Sequence, residues 1–423
     1  MATSPSTSWR NIALAIWAAL IASFQIGKAI IALPLLQGAP LHLSLGETGL
    51  VLSALAIVGA VLAMPLGFFI ARHDLRKVLC TGLVTIAVAS LVGGWAENVP
   101  VLIASRVLEG MAVVVILISA SSLVGRQALP QDRDQAMALS STAVPSGIAL
   151  MMLGATIVAN LGYELSWTTL WKVNAALALI CMLTLLAFMP AMPTSAVPST
   201  TTAVQTQAHS WADLWQQAFA AVRQVATARG PQLIALCFGL YAMVYFAFSG
   251  FLPLLLRDLL GLSLIQAGYV SAAIVTANVL GNISAGAMMR RGARPSRIIC
   301  AGFAIAALCA PLLFWLPIPA AAAIALAFVM IGSLGGIPGA LTAIAPKLAP
   351  NATLISPTIG FMLQGSYVGQ LIGPLAAGSL AQLGGWPLVA ALLLPLALAG
   401  ALLSRKLQPN AVHLPLHIKA AAR

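Results

Sequence analysis

Lys28, in the stretch FQIGKAII (24 to 31), lies inside an apolar run from about residue 11 to 36. Arg106 and Glu109, in RVLEGM (106 to 111), lie inside another from about 99 to 122. A charge within a bilayer costs at least a few kcal/mol unless a partner or a wet cavity receives it. Lys28 is about eight residues from the outer end of its run, roughly 12 Å deep, and Arg106 and Glu109 lie about seven and ten residues inside theirs, so their depths agree. Arg106 and Glu109 are three residues apart and share a helix face, so they can pair. The spacing predicts one cluster of Lys28, Arg106 and Glu109, with net charge +1 when the acid is ionised and +2 when it is protonated. Such a site suits an anion. Glu109, the one acid inside a predicted span, is the candidate for proton coupling. Two plainer readings stand beside this one: Lys28 snorkels to the outer headgroups, and Arg106 with Glu109 is an ion pair that fixes helix packing.

Neutral polar groups complete the candidates. Gln25 lies one turn before Lys28 and can offer its amide to a substrate or to a neighbouring helix. The second half of the chain carries Tyr241 with Tyr245, Asn278 with Asn282, and Gln364, Tyr367 and Gln370 at helical spacing, each set a polar stripe on an apolar helix. Tyr241, Gln364 and Tyr367 are the substrate-binding candidates among them, with interhelical hydrogen bonding as the common alternative.

The elements that hold these residues follow from composition. With 61% hydrophobic and 7% charged residues and a mean hydropathy of +1.00, the chain would expose far more apolar surface than water tolerates. Twelve apolar runs are each long enough to cross about 30 Å of hydrocarbon as a helix. They fall near 11 to 36, 49 to 71, 78 to 95, 99 to 122, 136 to 160, 173 to 190, 230 to 256, 266 to 289, 298 to 316, 318 to 343, 354 to 383 and 386 to 404. The first is too long for a secretion signal and is read as retained.

The net charge of +12 resembles a nucleic-acid signature until the basic residues are sorted by loop. With the N-terminus in the cytoplasm, 17 of the 21 Lys and Arg fall on the inner side, while Lys172 and Arg257 fall outside and Lys28 and Arg106 within spans. That is positive-inside asymmetry, not nucleic-acid binding. It places both termini in the cytoplasm of a multi-pass protein of an inner or plasma membrane. The five cysteines lack metal-ligand spacing and are read as packing residues.

The apolar pattern is interrupted from about 189 to 230. A Pro, Ser and Thr-rich linker leads into SWADLWQQAFAAVRQVATA, where Ser210 can cap a helix and Trp211, Leu214, Trp215 and Phe219 form an apolar stripe. This helix is expected along the inner membrane surface or packed on the cytoplasmic loops. The chain thus divides into a six-helix half over 1–190, a cytoplasmic linker over 191–229, a second six-helix half over 230–405 and a cytoplasmic tail over 406–423. An offset of 219 residues aligns LPLLQGAPLHLSLGETGLVLSA from Leu33 with LPLLLRDLLGLSLIQAGYVSAA from Leu252 without a gap, and pairs Gly67 with Gly286, Arg72 with Arg291 and Trp167 with Trp386. The halves read as duplicates, an arrangement that suits alternating access around a midplane cavity.

The loop GFFIARHDLRKVL (67 to 79) resembles the G-x-L-a-D-R-x-G-R-R-x-V-L motif of the major facilitator superfamily, matching at Gly67, Arg72, Arg76, Val78 and Leu79. It departs at Ala71, Asp74 and Leu75. In that family the missing Asp latches the two halves, so Asp74 is the candidate replacement. Gly67, Arg72, Asp74, Arg76, Gly286 and Arg291 then form the conformational motif that the resemblance implies. RVLEGM is similar to the family's R-x-x-x-G motif, implying a buried Arg106 and a close-packing Gly110. Within the superfamily, IGKAIIALPLL followed by LSLGETGLVLSAL looks most like the branch around cyanate and nitroimidazole transporters, which implies a small solute.

The chain lacks P-loop, H-E-x-x-H and G-x-S-x-G motifs and has no histidine in a predicted span, which argues against an ATP-driven pump or a membrane hydrolase. No cofactor or metal is implied. The expected protein is an all-α, twelve-helix, monomeric secondary transporter whose partners are a small-molecule substrate, protons and the lipid bilayer. A proton-driven multidrug or metabolite exporter is one alternative, and a non-transporting sensor on the same fold is another.

Overall fold

The computed structural model describes residues 7–70, 73–129, 131–191, 211–351 and 354–407. Ala71, Arg72, Ser210, linker residues 192–210 and the tail from 408 to 423 lie outside the described residues.

The chain is built from helices, as it must be where no water reaches the backbone. The first half comprises α1 (Trp9–Leu36), α2 (Leu45–Ala54), α3 (Ile57–Ile70), α4 (Leu75–Gly94), α5 (Val99–Gln127), α6 (Arg133–Ser141), α7 (Ala143–Asn160) and α8 (Trp167–Phe188). After the linker helix α9 (Trp211–Thr227) come α10 (Arg229–Ser249), α11 (Leu252–Leu260), α12 (Leu264–Arg290), α13 (Pro295–Trp315), α14 (Ala320–Leu348), α15 (Ile355–Gly384) and α16 (Trp386–Ser404). Eleven segments are long and apolar enough to cross a membrane, with α2 and α3 acting as one span over Leu45–Gly67. The 30-residue α15 is the twelfth.

The duplication is visible in local structure. Ser44 caps α2 in a reciprocal box with Glu47, and Ser263 caps α12 in the same box with Gln266. The offset of 219 maps one box onto the other, and Trp167 and Trp386 each open the last helix of their half.

The halves meet along two seams. Helices α2 and α3 pack on α15 over their length, and α7 packs on α12. Gly49 lies against the backbone of Pro374 and Gly378 against that of Leu45, while Gly46 N–H donates to Gln382 Oε1 at 3.0 Å. Near the other end of α3, Met64 meets Gly360. The first seam is therefore closed toward both membrane faces. Within the second half, Gly365, Gly369 and Gly373 all face the α10 backbone at Ala235, Gly239 and Met243, so this small-residue ladder packs helices and does not line a ligand site.

The linker helix docks on the seam. Val225 is fully buried against Met64 of α3 and Leu354 beside α15, with Ala221, Val222 and Phe361 packed around them. Among the described side chains the docking face is Ala221, Val222 and Val225. Of the stripe expected from sequence, Phe219 is 66% exposed, and the side chains of Trp211, Leu214 and Trp215 fall outside the description. This topology puts exposed Gln224 of α9 and exposed Leu383 of α15 on opposite faces of the bundle. Single cysteines at these two positions, in a background lacking the native five, are expected to react with an impermeant maleimide from opposite sides of a sealed vesicle. Labelling from the same side would contradict the arrangement.

Candidate functional site

Helix α1 carries Gln25 and Lys28 and helix α5 carries Arg106 and Glu109, and all four are buried within 1% of complete exclusion from solvent. Lys28 Nζ lies 2.5 Å from Glu109 Oε1 and donates to Ser90 Oγ of α4 at 2.8 Å. Arg106 pairs with the second carboxylate oxygen of Glu109 and donates to the Gln25 carbonyl at 2.9 Å. Ser90 Oγ lies 2.6 Å from Glu109 Oε1 and 3.2 Å from Gln25 Oε1, with one proton to give to either. The Trp171 ring of α8 closes the cluster, 4.6 Å from Lys28 Nζ and 5.9 Å from the Arg106 guanidinium carbon. The Gln25 amide also donates to Asn174 of α8 at 3.4 Å. Lys28 therefore does not snorkel to a headgroup. The predicted cluster forms, with both oxygens of one carboxylate shared between two cations.

The cluster also supports a defect in the backbone. Between α2 and α3 the helix breaks at Leu55 and Ala56, and the Leu55 N–H turns to Ser53 O. The Val51 carbonyl, which a regular helix would offer to Leu55, instead accepts from Arg106 Nε at 3.3 Å. Gly110, one turn beyond Arg106, makes room for the break: a Cβ there would sit 2.7 Å from the Leu55 carbonyl carbon and 2.9 Å from its Cα. The glycine and arginine of RVLEGM thus act together on the same bend.

A second defect lies lower in the same span. Pro65 has no N–H for the Val61 carbonyl, and Gln364 of α15 supplies the donor, at 3.2 Å to Val61 O and 2.8 Å to Ala60 O. Tyr367, one turn on, lays its ring against Gly59. These two second-half candidates bridge the seam to α3. Tyr241 stacks on Tyr245 at 5.6 Å between centroids and meets Asn278 Nδ2 at 3.4 Å. None of the three bonds to the charge cluster, and among the described residues the hydrogen bonds of Lys28, Arg106 and Glu109 stay within the first half.

The loop motif is divided. Asp74 caps α4, its Oδ1 accepting from Arg76 N–H at 2.9 Å, and among the described residues no ion pair joins it to the second half. Arg76 reaches Leu186 O at the end of α8, at 2.6 Å. Gly67 and Gly286 have open surroundings, and Arg291 is exposed at the end of α12. Sequence reasoning did not select Ser90, Trp171 or Asn174. The signal available was Ser90 in the apolar stretch IAVASLVGG of α4 and Asn174 near the start of α8.

A family model described as Major Facilitator Superfamily matches residues 15–356. The chain belongs to that superfamily. A solved structure with the same fold is the bacterial homolog of the human lysosomal transporter Spinster, in an inward-facing and unoccupied conformation. It is similar over 96% of each chain, with a TM-score of 0.68 and 15% sequence identity, a likeness of fold. The protein is a multi-pass secondary transporter and not an enzyme.

Removing one member of a buried ion network leaves the others unpaired, which costs about 3–5 kcal/mol. Lys28→Ala and Arg106→Ala are each expected to lower the thermal unfolding midpoint in detergent substantially. Lys28→Met combined with Glu109→Gln should lose much less than the sum of the two changes. Additive losses would show that the pair is not coupled.

Proposed function

We propose that this transporter carries a small organic or inorganic anion by alternating access, coupled to protons through Glu109. It works as a monomer in an inner or plasma membrane, with both termini and the linker in the cytoplasm. The observation that carries the proposal is the lone buried carboxylate gripped by two cations at a helix break. With Glu109 ionised the cluster holds net charge +1, and an anion entering between the halves meets a positive potential strengthened by poor solvation.

A proton on Glu109 removes the charge that ties α1 to α5 and raises the cluster to +2. Lys28 then keeps Ser90 alone, while Arg106 keeps the carbonyls of Gln25 and Val51. Protonation thus releases Lys28 of α1 from Glu109 of α5 and increases the attraction for an anion in one event. Rocking of the halves must separate Gln364 from α3 on the seam, and the contacts of Tyr367 and Tyr241 are remade around the solute. The stretches IGKAIIALPLL and LSLGETGLVLSAL, similar to those of the cyanate and nitroimidazole branch, favour a solute of small size. The asymmetry of basic residues favours the stated orientation.

A second reading rests on the aromatic ladder of Phe238, Tyr241, Tyr245 and Phe246, whose neighbouring ring centroids lie 4.9 to 5.7 Å apart. Such a surface suits neutral or cationic aromatic solutes, as an exporter would carry.

In proteoliposomes screened with small anions, Glu109→Gln is expected to retain counterflow and to lose accumulation driven by a proton gradient. Full accumulation by this variant at neutral pH would remove Glu109 from the coupling step. Lys28→Gln and Arg106→Ala should each weaken anion binding by more than about tenfold, equivalent to about 1.4 kcal/mol. Arg106→Lys should recover only part, because an ammonium cannot reproduce the planar guanidinium fork. Binding of aromatic cations that tolerates Lys28→Gln would favour the exporter, and binding without flux a sensor.

A further inference from the structure

Away from the charge cluster, at the end of the bundle where α12 turns into α13, an open groove of about 640 Å³ is lined by Arg294, Arg297 and Arg405 together with Ser296, Cys300 and Ile344. Two arginines flank the first residues of α13, and the third follows the last residue of α16. The three therefore converge from two separate segments.

No carboxylate of the second half can neutralise them. Of nine acidic residues in the chain, only Asp258 follows the linker helix. Its Oδ2 accepts from Trp386 Nε1 at the start of α16, the opposite end of that helix from Arg405. Among the described residues none of the three arginines has an ion-pair partner. Arg405 suits the C-terminal end of α16, but Arg294 and Arg297 stand at the N-terminal end of α13, where the helix dipole adds positive potential. A general excess of basic residues on this face explains its sign. It does not explain why guanidinium groups gather around one groove at a site where each repels the others.

We propose that this groove binds a phosphate-bearing anion. Guanidinium groups grip phosphate oxygens in pairs. The apolar side of the groove, from Ile344 and Pro295, would take the glycerol or acyl portion of a lipid. A phosphodiester headgroup of the adjoining leaflet and a free phosphate in solution offer the same chemistry.

The test uses the full-length protein purified in neutral detergent and follows thermal unfolding during titration with phosphatidylglycerol, phosphatidylcholine or inorganic phosphate. The wild type is expected to be stabilised by phosphatidylglycerol at concentrations where phosphatidylcholine has no effect. A combined Arg294→Gln, Arg297→Gln, Arg405→Gln variant should need more than about tenfold more phosphatidylglycerol, as expected for losing three charge-assisted contacts. A control with the same charge change at exposed positions, Lys77→Gln, Arg223→Gln, Arg290→Gln, should respond as the wild type. Stabilisation by inorganic phosphate with the same dependence on the three arginines would support the site and assign it to a soluble ligand. Equal responses from the groove variant and the control, or no anion-selective response in the wild type, would overturn the proposal. A second measurement does not depend on folding of the groove variant. Cys300 lines the groove, so in a protein whose other four cysteines are replaced, its maleimide labelling should slow at least fivefold with phosphatidylglycerol or phosphate and not with phosphatidylcholine. Unchanged labelling with both anions would also overturn it.

Discussion

The structure depends on one constraint: in the hydrocarbon layer, a carbonyl released from its helix must find another donor. The span formed by α2 and α3 releases carbonyls, among them Val51 where the helix breaks and Val61 where Pro65 offers no N–H. Arg106 takes the first and Gln364 the second. A guanidinium at this depth must itself be balanced, which Glu109 does. One carboxylate has two oxygens, and Lys28 occupies the other. The buried charges thus form a chain of necessity that begins in the backbone of a single helix.

The two supports belong to different bodies. Arg106 serves Val51 from the same half, so that bond survives when the halves move. Gln364 serves Val61 from the opposite half across the seam, beside Met64 and the docked linker helix, so that bond can last only while the seam is closed. One span therefore carries a permanent support and a conditional one about ten residues apart. This places the charge state of Glu109 and the closure of the seam on the same helix, the physical basis for coupling in the proposed mechanism.

The duplication sharpens the point. The 219-residue offset carries Lys28 to Ala247, Arg106 to Ala325, Glu109 to Phe328 and Gly110 to Val329. Where the second half lacks the charges, its counterpart helix α12 runs unbroken over 27 residues, although a glycine of α14 packs against it at Asn278. The break and the cluster lie in the same half of this chain. The capping boxes at Ser44 and Ser263, by contrast, persist in both halves because each closes a helix locally and needs nothing from a distant neighbour.

What could be read from sequence alone was whatever depends on near neighbours and on the solvent. Apolar runs long enough for a bilayer, the offset repeat, the position of the linker and the matching depths of Lys28, Arg106 and Glu109 all follow from counting along the chain. The Pro residue that frees Val61 is legible there too. The tertiary structure decided which way each side chain is spent. It turned the charge cluster inward, onto Ser90 of α4 and Trp171 of α8, and it gave Gln364 to a carbonyl 303 residues away. It also buried Val225 of α9 in the seam and left Phe219 largely exposed. Helical periodicity fixes which residues share a face, but every face of a buried helix is apolar enough to pack. Only the arrangement of the neighbours determines which partner a polar group meets.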